Sequence, residues 1–552
     1  MNKIYNNFKD IIKFYNELKE NAKFYYEKRN FEKALKYIYF SASYAWLVHF
    51  GKWYDDDLEK ILSKIGKIIG KRNPYKKVVF YRKNKRIAYL ASFISEVGGH
   101  NTVLEQYAHL LKYNFEQQDL YLTKSNMKTL HYSRINKSLK NAGISIYELP
   151  TYKSFISKIE YLIKLIQERK PDVLILFTHP NDVIIIPAIT ALSYKPLIIF
   201  FNHADHTFWL GKNIIDRIIE QRIDGVRFSR KYRDIQSPQY IIPLSTNIIP
   251  EKVSKMKYGV PETSTLSISI GSFLKVQQYG KFDYFKIISI ILKKFPEHYH
   301  MFVTTPPSKE YLETILPKDP DIRKRFIING PFSNLEPIYG IGDFLIDTFP
   351  IGGGMVIAGA MSCKVPIVRI HDKQFSLLSN GGGQLPLDYQ FVATNINDLI
   401  KYISMMIENP KIRKQTGDLL FEYYSDNLSP NSIKKHLIGV IEGDPNFKVN
   451  LSDESLNLTE LSYNPFIGQK SYLTEKKFFL IMDLKFSVFS IKQRFKILLD
   501  LIKKGELKSL KQIIFFTILV TFRNIINILT IPILNLRASN KIIKILLNKL
   551  RS

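Results

Sequence analysis

A single cysteine, Cys363, stands in a chain of 552 residues. It excludes an intramolecular disulfide and any zinc site built on clustered thiolates. It also fits a reducing compartment. Acid is scarce: 50 Asp and Glu face 80 Lys and Arg, a formal charge of +30. No acidic residue follows Glu506, and no glycine precedes Gly51. The opening MNKIYNNFKDIIKFYNELKE has early acids and no uninterrupted apolar core, so it does not read as a signal peptide. Zinc-finger, helicase-loop and RNA-recognition motifs are missing, as are a Walker loop and a GxGxxG fingerprint. Hydrophobic residues make up 45% and charged residues 24%. That balance excludes a polytopic membrane protein and a mainly disordered chain.

The excess positive charge needs a counterpart: nucleic acid, an anionic membrane or phosphate-bearing substrates. Its distribution helps to choose. Ser471 to Ser552 holds 16 basic and 4 acidic residues and is rich in Ile, Leu and Phe. Basic and apolar together read as membrane surface rather than nucleic acid. Ile513 to Val520 is strongly apolar, but Arg523, Asn524 and Asn527 interrupt the run towards Leu536. Pro532 breaks or kinks it. Helices lying on anionic lipid are therefore expected over a single span. The expected location is cytoplasmic, peripheral on the inner face of the cell membrane.

The pattern of apolar residues divides the chain into five parts. Residues 1–72 read as helical, with three- and four-residue spacing from Phe31 to Phe50 and again from Asp57 to Ile69. Residues 73–250 alternate short apolar runs with helical stretches: KKVVFY, RIAYLASF, DVLILFTH, PLIIFFNH and QYIIPL. Residues 251–441 repeat the alternation through TLSISIGSF, HYHMFVTT, KRFIING, DFLIDTFP and VPIVRI. Apolar runs buried on both faces predict parallel sheets, hence an α/β protein of two Rossmann-like units with a crevice between them. Residues 442–470 read as a polar linker or wrapping segment, and residues 471–552 as a basic amphipathic tail.

Four constellations fall where such sheets bind ligands, beyond the carboxyl ends of strands. FNHADHTFWLG (201–211) follows an apolar strand and presents His203, Asp205 and His206. A metal site lacks completing ligands. An acid–base or substrate-orienting role fits better, because histidine titrates near neutrality and a carboxylate fixes its tautomer. SISIGSFLKV (267–276) ends a strand in Gly271 and Ser272, small enough for close ligand approach, followed by Lys275, which can neutralise a diphosphate leaving group. In DTFPIGGGMVIAGAMSCKVPIV (347–368), Gly352, Gly353 and Gly354 open a helix whose N–H groups form an anion site. Asp347 and Thr348, just before, can hold a sugar hydroxyl or ribose. SEVGGHNTVLEQYAHLLK (95–112) places His100 at a helix entry. A later glycine run, 379–388, is a further loop candidate, and Cys363 reads as a buried small side chain.

IDTFPIGGGMVIAGAMSCKVPIV resembles the nucleotide-sugar-binding block of the O-linked N-acetylglucosamine transferase family and related bacterial cytoplasmic transferases. IGSFLKV resembles that group's strand–loop–lysine block, and SEVGGHNT the glycine-rich first loop of many acceptor-side domains. The resemblance covers residues 78–435. It implies the GT-B fold, a UDP-sugar donor held by the second αβ domain, and Lys275 against the donor diphosphate. It implies no further cofactor and no metal. The implied acceptor is a lipid-linked, glycan or protein hydroxyl in bacterial surface-glycan synthesis; a homo-oligomer stays open.

One departure bears on stereochemistry. Many retaining GT-B enzymes carry two glutamates eight positions apart in this block. Here the two slots fall on Ile351 and Gly359, and the nearest carboxylate is Asp347. The resemblance is therefore closer to the inverting group. His203, Asp205, His206 or His100 then orients the acceptor or takes its proton. Two other functions stay open on sequence: a nucleotide-sugar epimerase sharing the diphosphate grip, and a nonenzymatic membrane- or nucleic-acid-binding scaffold.

Overall fold

The computed structural model describes residues 2–47, 50–72, 85–94, 99–124, 133–150, 153–276, 282–332, 334–371, 384–386 and 388–449. The strand expected at KKVVFY, Gly98, the glycines of the 379–388 run and the basic tail lie outside the described residues. Among the described residues no helix is long and apolar enough to cross a membrane. The chain divides into two units, one containing residues up to Phe50 and the other starting at Gly51.

The first unit contains a helical hairpin, α1 (Asn2–Glu27) and α2 (Phe31–Leu47). Arg29 reverses the chain in the left-handed region, at φ 55°. Ala34, Leu35, Ile38, Ala42 and Ala45 recur at helical spacing on the buried face of α2. Tyr25 stacks on Tyr37 at 5.4 Å, and Phe14 meets Tyr44 edge-on at 5.1 Å. Both rings of α2 are buried, so they pack rather than form an open platform.

The second unit begins with α3 (Asp56–Arg72). Its acids lie in the first turn and Lys71 and Arg72 in the last, matching the helix dipole. Seven parallel strands follow: β1 (Arg86–Ala91), β2 (Gln117–Leu122), β3 (Ile144–Glu148), β4 (Val173–Phe177), β5 (Leu197–Phe201), β6 (Arg217–Glu220) and β7 (Gln239–Ile241). Their order is β3-β2-β1-β4-β5-β6-β7. A second parallel sheet holds β8 (Thr265–Ile270), β9 (His298–Val303), β10 (Phe326–Asn329), β11 (Phe344–Ile346), β12 (Ile367–Ile370) and β13 (Val392–Ala393), in the order β10-β9-β8-β11-β12-β13. Both orders reverse beside the first strand, at β1/β4 and at β8/β11. Those switch points open crevices at the strands' carboxyl ends. VLILF of β4 is buried at every residue, as expected of a strand covered on both faces.

Five further helices position the site: α4 (Gly99–Leu110), α5 (Ile185–Thr190), α6 (Ile223–Arg233), α7 (Gly354–Ser362) and α8 (Pro430–Glu442). α3 lies on α5 through two glycines. A Cβ on Gly66 would collide with Thr190 and Pro187, and one on Gly70 would stand 2.8 Å from Ala191 O. α3 thus belongs with the first sheet and not with the preceding hairpin, which divides the helical region read as 1–72. α8 also departs from the sequence reading. It follows the second sheet in the chain, yet Ile433, Leu437, Val440 and Ile441 join the core of the first. Arg217 Nη1 donates to Val440 O at 2.6 Å and Ile441 O at 2.7 Å. Beyond it, Val449 N donates to Gln239 O at 2.9 Å, so the start of the polar segment wraps back along β7.

Candidate functional site

On the second sheet, two loops from the switch-point strands β8 and β11 are sewn together. After β8, Lys275 N donates to Ser272 O at 2.9 Å, closing a tight turn. Gly271 makes room for what lies above it: a Cβ there would stand 3.3 Å from Lys275 Cδ and 3.3 Å from Thr348 Cγ2. Lys275 Nζ then donates to Gly352 O at 2.9 Å, and Ile351 N donates to Lys275 O at 3.3 Å. Burial lowers the Lys275 pKa, and the nearby Asp347 opposes that shift.

The glycine loop is held from inside. Asp347 Oδ1 accepts from Gly353 N at 3.0 Å, and Thr348 Oγ1 donates to Ile351 O at 2.7 Å. Both side chains are buried. They shape the loop, whereas the sequence suggested a direct hold on a sugar hydroxyl. Burial raises the Asp347 pKa, opposed by Arg369 and Lys275. Arg369 Nε stands 3.9 Å from Asp347 Oδ2. The Gly353 N–H is spent on Asp347. Those of Gly354, Met355 and Val356 precede the first intrahelical bond, which Ile357 N makes to Gly353 O. The start of α7 and Lys275 Nζ therefore form one electropositive corner, with Ser272 exposed beside it.

On the first sheet, the loop after β5 is anchored by charge. Asp205 is buried, and Arg222 grips it from two sides: Nε to Oδ2 at 2.8 Å and Nη2 to Oδ1 at 3.0 Å. Arg233 Nη2 donates to Asp205 O and Thr207 O, both at 2.6 Å. Burial alone would raise the Asp205 pKa; Arg222 and His206 outweigh it and hold the carboxyl well below its ordinary value. A permanently ionised Asp205 cannot itself take a proton near neutrality. It faces His206 instead, Oδ1 to Nδ1 at 3.2 Å, and the His206 side chain is 31% exposed. Glu220, at the end of β6, accepts from Asn202 Nδ2 at 3.1 and 2.9 Å, and burial lifts its pKa to about 7.

α3 fixes the far end of the same loop. Glu59 accepts three backbone hydrogen bonds, from Gly211 N (2.7 Å), Lys212 N (3.0 Å) and Asn213 N (2.9 Å). Burial pushes its pKa to about 7, partly offset by those three donors. Replacing Glu59 by alanine leaves the donors without their acceptor and should cost on the order of 2 kcal/mol, seen as a lower Tm. The pH dependence has a definite sign. With the folded pKa above the unfolded one, the fold holds the extra proton, so this group's contribution falls as pH rises from about 4.5 to about 7. Glu59→Gln should therefore gain Tm relative to the wild type between pH 5 and pH 8.

His100 and His203, named from sequence as rival candidates, have their rings stacked at 5.2 Å. His179, after β4, joins them through Phe93, which meets His100 at 5.7 Å and His179 at 5.9 Å. The sequence reading passed over His179. Its signal is the His-Pro-Asn-Asp string closing the apolar run DVLILF. Arg222 and Arg369 were also missed, Arg369 being hidden inside the apolar VPIVRI. Arg369 lies within electrostatic reach of Arg222 and Asp224, so the donor-side loop and the Asp205 loop share a charged boundary. Among the described residues no three His, Cys, Asp or Glu stand together as a metal-ligand set.

No protein-family model and no curated protein matches the sequence. Solved structures do resemble it. HepE of Anabaena, solved with UDP and glucose, aligns at a TM-score of 0.47 and 13% identity, over 64% of this chain and 99% of that one. A variant of the Thermobaculum terrenum O-GlcNAc transferase aligns at 0.44 and 12%, over 75% of this chain and 77% of that one. A variant of S. aureus TarM, solved with UDP, fondaparinux and α-GlcNAc-glycerol, aligns at 0.48 and 10%, over 64% and 99%. The strand orders are those of two Rossmann-type domains, as the GT-B resemblance implied.

Proposed function

We propose that the protein is a glycosyltransferase moving a sugar from a UDP-sugar to an acceptor hydroxyl in bacterial surface-glycan synthesis. The observation that carries this reading is the corner formed by Lys275 Nζ, Gly352 O and the start of α7, at the switch point of the second sheet. A cation beside unspent helix N–H groups matches a departing diphosphate. Gly271 and Gly353 leave room for the Lys275 side chain that reaches this corner.

In the reaction, the acceptor oxygen attacks the anomeric carbon as the bond from that carbon to the diphosphate breaks. The electron pair leaves with the diphosphate, where Lys275 and the α7 N–H groups stabilise it. The acceptor proton passes to His206, whose Nδ1–H is held by Asp205, leaving Nε2 as the base atom. Attack from the opposite face inverts the anomeric centre. The absence of a carboxylate at Ile351 and Gly359 supports inversion over retention. The basic tail, 471–552, would hold the enzyme peripherally on anionic lipid on the cytoplasmic side, near lipid-linked material.

Gly353→Val tests the donor site. Its Cβ would stand 3.4 Å from both Lys275 Nζ and Val356 Cβ, with two further methyl carbons beyond. UDP affinity should fall at least tenfold, about 1.4 kcal/mol. An unchanged UDP isotherm would remove the glycine loop from the donor site.

A further inference from the structure

Beside the Asp205–His206 pair lies a second acid that the reaction as described does not use. Glu220 ends β6 and is fully buried. It meets Asp205 over one glycine. A Cβ on Gly225, in the first turn of α6, would stand 2.8 Å from Glu220 Oε2 and 3.2 Å from Asp205 Oδ2. The missing side chain lets two carboxylates share one buried space.

The two acids are held differently. Arg222 clasps both oxygens of Asp205, through Nε and Nη2. Glu220 has neutral partners: both its oxygens accept from Asn202 Nδ2, and the Ser229 hydroxyl lies beside it. Arg233 Nη1 donates to that hydroxyl at 3.5 Å, so this arginine acts on Glu220 from one group further away. Like charges in a buried space resist ionising together, and the proton settles on the acid without a direct cation. The charged groups facing Glu220 are Asp205 from the loop after β5, Arg222 from its own loop and Arg233 from α6. Burial, and then the charge of Asp205, lift its pKa to about 7 against Ser229, Asn202 and Arg233. The charge that His206 faces therefore depends on Glu220. With Glu220 protonated, the ionised Asp205 leaves one of the two arginine charges unbalanced; with Glu220 ionised, two acids balance two arginines.

We propose that Glu220 is a positioning residue: acting through Asp205, it sets the charge that His206 faces as it takes the acceptor proton. His206 becomes a cation in that step, and a cation forms more readily beside the balanced set. The role of His206 rests on the transferase reading; the shared space of the two acids rests on the side chains alone. The proton that Glu220 loses as pH rises goes to solvent, and no other bond is made or broken.

Glu220→Gln in the full chain is the test, because the amide keeps the shape and the uncharged form of the protonated acid. With a saturating UDP-sugar that supports transfer, the ratio of wild-type to variant kcat should be close to one at pH 6. It should rise to roughly three- to tenfold at pH 8, with donor KM unchanged. Taking the ratio removes the pH dependence that the two proteins share, and a merely structural role would give a loss that does not vary with pH. Carbon-13 NMR of the chain labelled at its glutamate carboxyls reads Glu220 without activity. The wild-type signal that is missing from Glu220→Gln should titrate near pH 7. Titration in the ordinary carboxylate range, or a kcat ratio constant with pH, overturns the proposal. A Glu220 that titrates near pH 7 in a protein that neither binds UDP nor transfers sugar would sink the transferase reading, and the kinetic role with it, and leave the paired acids standing.

Discussion

Lys275→Ala should lower transfer by about 10²- to 10³-fold at saturating donor, a loss of about 2.7–4 kcal/mol of transition-state stabilisation. The ammonium group reaches Gly352 O from a turn that begins at Gly271, so its position is set by backbone and survives without a ligand. Its charge matters most when the diphosphate leaves, because negative charge develops there only in the transition state. The effect should therefore fall mainly on kcat, with a smaller change in donor KM. Lys275→Arg should recover little, since a planar guanidinium is larger and the space between Gly271, Thr348 and Gly353 is already closely filled. Near-wild-type kcat in Lys275→Ala, with the far-UV spectrum and Tm unchanged, would remove the residue from leaving-group stabilisation.

His206→Ala should lower kcat by about 10²- to 10⁴-fold, the range for loss of a positioned general base, while UDP affinity stays within twofold. His203→Ala should behave differently. His203 is the more enclosed ring, stacked on His100, and holds its neutral form far below physiological pH. Its loss should act through acceptor KM. Asp205→Asn separates orientation from folding: the amide can no longer balance Arg222, so Tm should fall together with kcat. Arg222 and Asp205 changed together should recover stability without recovering turnover. Equal kcat losses from His203→Ala and His206→Ala would contradict the division of roles.

The two αβ units were legible because buried parallel strands write themselves as apolar runs. DVLILF and PLIIFF became β4 and β5, and TLSISI became β8. QQDLYL and RIIE were harder to read. Gln118 and Asp119 of β2 are buried polar residues, satisfied by Tyr89, Ala108 O and Arg169, and such partners are invisible in one dimension. The return of α8 to the first core was hidden for a similar reason. Its apolar face shows that it packs against something, and the spacing cannot say which of two sheets. At the site, Lys275 and the glycine loop could be found because each follows a strand directly. Asp347 and Asp205 are tied to groups that one dimension does not reveal: Asp205 is gripped by Arg222, and Asp347 accepts from Gly353 N with Arg369 3.9 Å away.

The most direct test is release of UDP from a panel of UDP-sugars by the full chain, with and without a lipid-linked glycan acceptor and anionic vesicles. The account predicts UDP release from one donor that depends on acceptor, gives an inverted product and is lost in Lys275→Ala. Failure of the wild-type protein to bind UDP, or conversion of the sugar nucleotide with no acceptor present, would contradict it.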